Sequence, residues 1–213
     1  MDVDGYTMWI TGGSLVLVAP QVSELERNHA LGSLHHAQLL ADGVMASRFD
    51  HYRRWYRAYR NAFGRRGWRV THSCQSVETA GGRTLLSPTQ PLLLWLGSQH
   101  SELGELLELG IDSLLLNPPG LTQLSRSALQ ARGGITRLVL ELGVLSPGSQ
   151  LSLCSIALET SAILDQQWLK APLAGATLRG DLYFQSLLAE PAPEMRDSER
   201  DGFARLPAGL TLH

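Results

Sequence analysis

The sequence predicts an α+β domain, with helices from the first two-thirds of the chain packed on a largely antiparallel sheet built mainly from the last third. Three observations carry that expectation. In 30–44, 52–63 and 103–114 apolar residues recur at helical intervals. From Gln130 onward the interval falls to two. The stretch Ser47–Val70, SRFDHYRRWYRAYRNAFGRRGWRV, feeds a helix into a strand. Wound at about 100° per residue, it gathers Tyr52, Trp55, Tyr56, Tyr59 and Phe63 into an arc of roughly 100°, with Arg53, Arg54, Arg57, Arg60 and Asn61 on the other side. This predicts an amphipathic helix with an aromatic inner face. Ser47 or Asp50 is expected to cap it and Gly64 to end it, after which Trp68, Val70 and His72 alternate as a strand.

In chain order, residues 5–19 predict a hairpin: Tyr6, Met8 and Ile10 alternate, Gly12-Gly13 makes the turn, and Leu15–Val18 returns. Ser23 and Glu26 have the spacing of a capping box, and Ala30, Leu34, Ala37, Ala41 and Val44 repeat at helical intervals, so a first helix presents small residues against which the aromatic helix can lie close. After a strand at 68–78, Gly81-Gly82 and Ser87-Pro88 mark loops. Pro91–Leu96 and Ser101–Leu116 predict one broken or two short helices, interrupted at Gly97, the second piece carrying Glu102, Glu105, Glu108 and Asp112 mostly opposite its leucines. This acidic face is the expected counterpart of the arginines. Asn117-Pro118-Pro119-Gly120 is expected to stop any helix, because proline removes amide donors and restricts the residue before it. Leu138, Leu140, Leu142 and Val144 alternate, Ser146–Ser149 turns and Leu151–Thr160 returns as a hairpin. A change of phase between Leu153 and Ile156 predicts a bulge near Cys154 or Ser155. Leu178, Leu182 and Phe184 predict one further half-buried strand. Residues 1–189 are thus read as one domain and 190–213 as an extended, charged, proline-containing tail with Phe203, Leu206 and Leu210 as anchors.

At 213 residues, 44% hydrophobic and 18% charged, the composition is that of an ordinary globular protein. Its net charge of -2 hides a concentration: Ser47–Arg69 holds eight arginines against Asp50 alone, a formal +7, leaving -9 for the remainder. Two cysteines, Cys74 and Cys154, are too few for a disulfide framework and are expected as small buried residues in strands. With Asp2 and Asp4 at the start and no basic residue before Arg27, no secretory signal is expected. Apolar runs such as Leu92–Leu96 fall far short of the roughly 20 residues a span needs, so a cytoplasmic protein without a membrane span is the expectation.

Ala37-Gln38-Leu39, Arg48, Trp55-Tyr56-Arg57-Ala58-Tyr59-Arg60 and Gly67-Trp68 form a pattern that resembles a family of small uncharacterised bacterial proteins. In that family an Ala-Gln-Leu helix precedes a Trp-Tyr helix, a Gly-Trp strand start, further helices and a C-terminal antiparallel sheet. The matching residues lie within 30–75; beyond them only the order of elements is similar. The resemblance implies a fold and no catalytic residues.

Lys170, the only lysine, sits in Leu-Lys-Ala rather than in a phosphate loop, and neither Gly-x-Gly-x-x-Gly nor Gly-x-Ser-x-Gly occurs. Of the seven histidines, His29 and His36 are two helical turns apart and His35 and His36 point about 100° apart, so no metal site and no cofactor is expected. His72 and Cys74 would face one side of a strand, but no third group orients them, and a buried cysteine is the simpler expectation. Glu102 and Glu105, one turn apart, read as solvated helix face.

The remaining signal is the arginine face, with Arg53, Arg57, Arg60, Arg65 and Arg66 as candidate binding residues for a protein partner or for phosphate. Nucleic-acid binding ranks lower, because the aromatics are needed in the core and the pI of 6.4 is well below the value above about 9 expected of such a module. The sequence therefore predicts a non-enzymatic protein-binding or assembly protein that self-associates or takes a protein partner through this face and the tail. A nucleic-acid-binding protein and a hydrolase with a dispersed site are the alternatives.

Overall fold

The computed structural model describes residues 2–3, 5–45, 47–79 and 87–193. In chain order these form β1 (Asp2–Val3), β2 (Tyr6–Thr11), β3 (Ser14–Val18), α1 (Glu24–Met45), α2 (Tyr52–Arg65) and β4 (Trp68–Thr79). There follow α3 (Gln90–Gln99), α4 (Gly104–Leu115), α5 (Pro118–Ala128), β5 (Leu129–Arg132), β6 (Ile135–Ser146), β7 (Gln150–Thr160) and β8 (Leu178–Pro191). The strands share one sheet in the order β1-β2-β3-β6-β7-β8-β4, with β5 beside the first part of β6. Every pairing is antiparallel except β3 with β6, where Ser14–Val18 runs parallel to Glu141–Leu145. The class is α+β, and the N-terminal hairpin belongs to the same sheet as the C-terminal strands.

Helices cover both faces of that sheet. On one face Leu15, Leu17, Leu138, Leu140, Leu142, Ile156 and Leu158 pack with α3, α4 and α5. On the other, Val16, Val139, Leu145, Leu151, Leu153 and Leu187 pack with Ala30, Leu34, Ala37 and Ala41 of α1 and the aromatic face of α2. Tyr59 and Phe63 are wholly buried and Trp55 nearly so, as the periodicity predicts. Ser23 and Glu26 close the capping box, with Glu26 N to Ser23 Oγ at 3.2 Å and Ser23 N to Glu26 Oε2 at 2.8 Å.

Several expectations are corrected by this layering. The phase change in β7 is not a bulge: β6 and β7 pair without interruption from Ser146↔Gln150 to Thr136↔Thr160. Both faces of these strands are buried, so the apolar pattern has no phase to keep. Irregularities lie instead between Ala157 and Glu159 against β8, and at Thr71 in β4. Glu102, Glu105 and Glu108 are exposed on and before α4, across the sheet from α2, and do not neutralise its arginines. Asn117-Pro118-Pro119-Gly120 ends α4 and starts α5 at once: the Asn117 side chain accepts from Gly120 N at 3.2 Å, and proline tolerates the first helical turn, where its missing N–H has no partner to lose. Neither Ser47 nor Asp50 caps α2, which begins after His51, and Gly64 lies inside the helix. Gly67, at φ 81°, takes the left-handed conformation that turns the chain into β4. Gly97 lies within α3, and the helical break falls after Gln99. Val44 is exposed. Glu190 and Pro191, assigned by sequence to the tail, are the last residues of β8, paired with Arg69 and Trp68.

Among the described residues no helix is long and apolar enough to cross a membrane. Phe203, Leu206 and Leu210 lie outside the described residues.

Candidate functional site

The two faces of α2 have opposite chemistry and opposite surroundings. Arg53, Arg54, Arg57 and Arg60 are exposed on its outer side, followed by exposed Arg65, Arg66 and Arg69 around the turn into β4. Arg53, Arg57 and Arg60 share one side by helical spacing. Arg60 Nη1 donates to Ser73 Oγ of β4 at 3.1 Å, and Arg69 pairs with Glu190 of β8. Among the described residues, Arg53, Arg57, Arg65 and Arg66 make no salt bridge. The five candidate arginines thus form one run from the N-terminal turn of α2 to the start of β4, all open to solvent.

Arg48 differs from the rest. It is buried, its Nη2 lies 2.5 Å from Asp42 Oδ2, its guanidinium stands 4.7 Å over the Trp55 ring, and its Nη1 donates to Gln38 Oε1 at 3.1 Å. Trp55 Nε1 donates to the other Asp42 oxygen at 2.7 Å, fixing α2 to the end of α1. One of the eight clustered arginines is therefore a structural tie.

Beneath α2 is a polar cluster that sequence reasoning missed. Glu141, in the middle of β6, is only 6% exposed. Its Oε1 accepts from Ser14 Oγ of β3 at 2.6 Å and from Tyr59 OH of α2 at 3.0 Å. Gln38 of α1 donates to Ser14 Oγ at 2.7 Å and accepts from Gly13 N at 3.1 Å. β3, β6 and α2 thus meet at one carboxyl, and α1 joins the cluster through Gln38 and Ser14. Burial pushes Glu141 up to about 7, against the hydrogen bonds from Ser14 and Tyr59 and the charge of Arg48, which favour the carboxylate. Burial likewise raises Tyr52, Tyr56 and Tyr59, keeping their hydroxyls protonated. Tyr52 OH is 2.7 Å from Ser155 Oγ, and Tyr56 OH is buried with no partner among the described residues. The signal that would have found Glu141 is local: it is the only ionisable residue in the apolar run Leu138–Leu145.

A cleft of about 550 Å³ opens at the N-terminal end of α2, over the ends of β6, β7 and β8. Arg137 at its rim is bound to Asp50 at 2.9 Å and Glu159 at 2.8 Å, and Arg53, Arg54 and Asp181 complete a lining of mixed charge. His72 and Cys74 lie on β4 with neither in a core, so Cys74 is exposed, contrary to expectation, while Cys154 is buried. The reason is that β4 lies at the sheet edge and, beyond Trp68 and Val70, contributes no side chain to either core. Among the described residues no three of His, Cys, Asp or Glu come together as metal ligands.

No protein-family model matches the chain. No curated protein matches it in sequence. Among solved structures, a delta-endotoxin aligns over 90% of this chain and 83% of its own, with 12% identical residues and a TM-score of 0.45. A likeness of that degree carries no inference about what this chain does.

Proposed function

We propose that the protein is a non-enzymatic binding or assembly protein whose contact surface is the arginine face of α2 and the turn after it, and whose partner presents carboxylates. The observation that carries this reading is the run Arg53, Arg57, Arg60, Arg65 and Arg66, exposed together while the acidic helix face that would neutralise it lies on the far side of the sheet. Concentrated like charge is unfavourable within a fold and is relieved by an anionic partner. The tail anchors Phe203, Leu206 and Leu210, cytoplasmic residence and membership of the bacterial family resembled above belong to the same proposal. Nucleic acid is the weaker partner, because Trp55, Tyr56 and Tyr59 are spent on the core and unavailable for stacking on bases.

The test is the triple variant Arg53→Glu, Arg57→Glu, Arg60→Glu, compared with the unmodified protein for melting temperature, solution mass, and binding of polyglutamate and of an oligonucleotide across salt. Loss of polyglutamate binding or of a multimer, with the melting temperature held within a few degrees, is expected. Oligonucleotide binding with a slope near -0.9 per neutralised phosphate, abolished in the variant, replaces this reading with the nucleic-acid one. No change in any quantity reduces the arginines to solvated surface.

A further inference from the structure

We propose that two copies of this chain join along the outer edges of their β4 strands, antiparallel about a two-fold axis at Cys74, so that their sheets become one. This extends the assembly reading by naming a second copy as a partner, and it uses a different surface from the arginine face.

Among the described residues β4 has a hydrogen-bonded neighbour, β8, on one side only. From His72 to Thr79 it runs against Leu188–Asp181 without irregularity, and residues 71–79 are all exposed. Strand edges carry outward N–H and C=O groups that template further pairing, and proteins blunt them with lysine, proline, bulges or covering elements. His72–Thr79 contains no lysine, proline or bulge, and its only acid is Glu78.

The sequence of this edge is complementary to itself. A two-fold axis perpendicular to a sheet keeps each side chain on its own face, and directly opposed residues in antiparallel strands share a face. With Cys74 on the axis, Cys74 meets Cys74 of the second copy, Ser73 meets Gln75, and His72 meets Ser76. Thr71 is the extra residue in the bulge between Val70 and His72, so the residues before it are displaced by one. Val70 then comes opposite Val77 of the second copy, and Arg69 opposite its Glu78. This register covers Val77, which is 41% exposed, with another valine and sets no like charges directly opposite each other along the two strands. Arg60 is held over this edge by its bond to Ser73, so the axis sets the two α2 helices on the same face of the joined sheet, one on each side of the seam.

The experiment uses the full chain. Light scattering over a concentration series reads the mass. Diamide, which takes up the two electrons and two protons released by a thiol pair, reads the register. Opposed residues of antiparallel strands are about 4.5–5.5 Å apart between Cα atoms, within the span of a disulfide. The expected results are a dimer, a Cys74–Cys74 crosslink that is lost in Cys74→Ser, and a dimer that persists in Cys74→Ser by mass. His72→Lys with Ser76→Lys sets lysine against lysine twice at exposed positions and should weaken the dimer about tenfold or more. His72→Lys with Ser76→Glu sets opposite charges together and should retain it. A monomer at all concentrations, a dimer indifferent to the double-lysine change, or a dimer without the Cys74 crosslink overturns the proposal. If the triple arginine variant alone loses polyglutamate binding in such a monomer, the arginine reading stands and the β4 seam falls.

Discussion

Replacing Glu141 by glutamine tests the buried cluster through its pH dependence. The carboxyl is raised from an ordinary 4.5 to about 7, chiefly by burial. A group whose folded pKa exceeds its unfolded one binds more protons in the folded state, so its contribution is fully present below about 4.5 and is lost as pH rises through about 7. At about 1.4 kcal/mol per pKa unit, the whole loss comes to about 3 kcal/mol. Glu141→Gln keeps a carbonyl acceptor for Ser14 Oγ and Tyr59 OH and cannot ionise. Urea unfolding of both proteins at pH 5 and pH 8 isolates the effect, since all other titrating groups are common to the pair. The stability of the variant relative to the unmodified protein should rise by about 2 to 3 kcal/mol between the two pH values. A difference that stays constant with pH would refute the reasoning and show a Glu141 that titrates as if in water.

Trp55→Ala or Tyr59→Ala should cost about 3 to 5 kcal/mol of unfolding free energy, whereas Arg57→Ala should cost less than about 1 kcal/mol; equal small losses in urea titrations would reverse the assigned faces of α2. Gly12→Ala places a Cβ 2.2 Å from Gln38 Oε1 at a residue with φ 57°, so it should lower stability by about 2 kcal/mol or more and expose the Gly13 amide to hydrogen exchange. An unchanged exchange rate would mean that Gln38 does not hold the turn.

The aromatic helix was legible because one of its faces is apolar and the other charged, and a 3.6-residue period registers that contrast directly. The layers were not. β6 carries Leu138, Val139, Leu140 and Leu142 in near succession because helices cover both of its sides, and a two-residue alternation cannot report a strand with no wet face. Glu141 escapes notice for the same reason: with no wet face, the alternation does not mark it as buried. The acidic pairing of the arginines failed because sequence order says nothing about which side of a sheet a helix lands on. Arg48 is indistinguishable from its neighbours in the sequence, since its burial depends on Asp42 and Gln38 supplied by α1. The start of α5 carries a readable signal in Asn117 before two prolines, because proline that stops one helix is equally suited to the first turn of the next.

The parallel junction of β3 with β6 has a consequence for the order of events during synthesis. Leu15 takes its place beside Leu142, and Ser14 bonds a carboxyl 127 positions further along the chain. At about 5–20 residues per second, β3 leaves the ribosome on the order of ten seconds before the strand it must join. For that interval the hairpin of β2 and β3 has an open, apolar inner edge, and α1 and α2 have no sheet to pack on. Closing so long a loop is entropically costly and kinetically slow, which puts this chain among high-contact-order topologies. Nascent chains halted before Glu141 should therefore be sensitive to protease and bound by holding chaperones, and release from both should coincide with the emergence of β6.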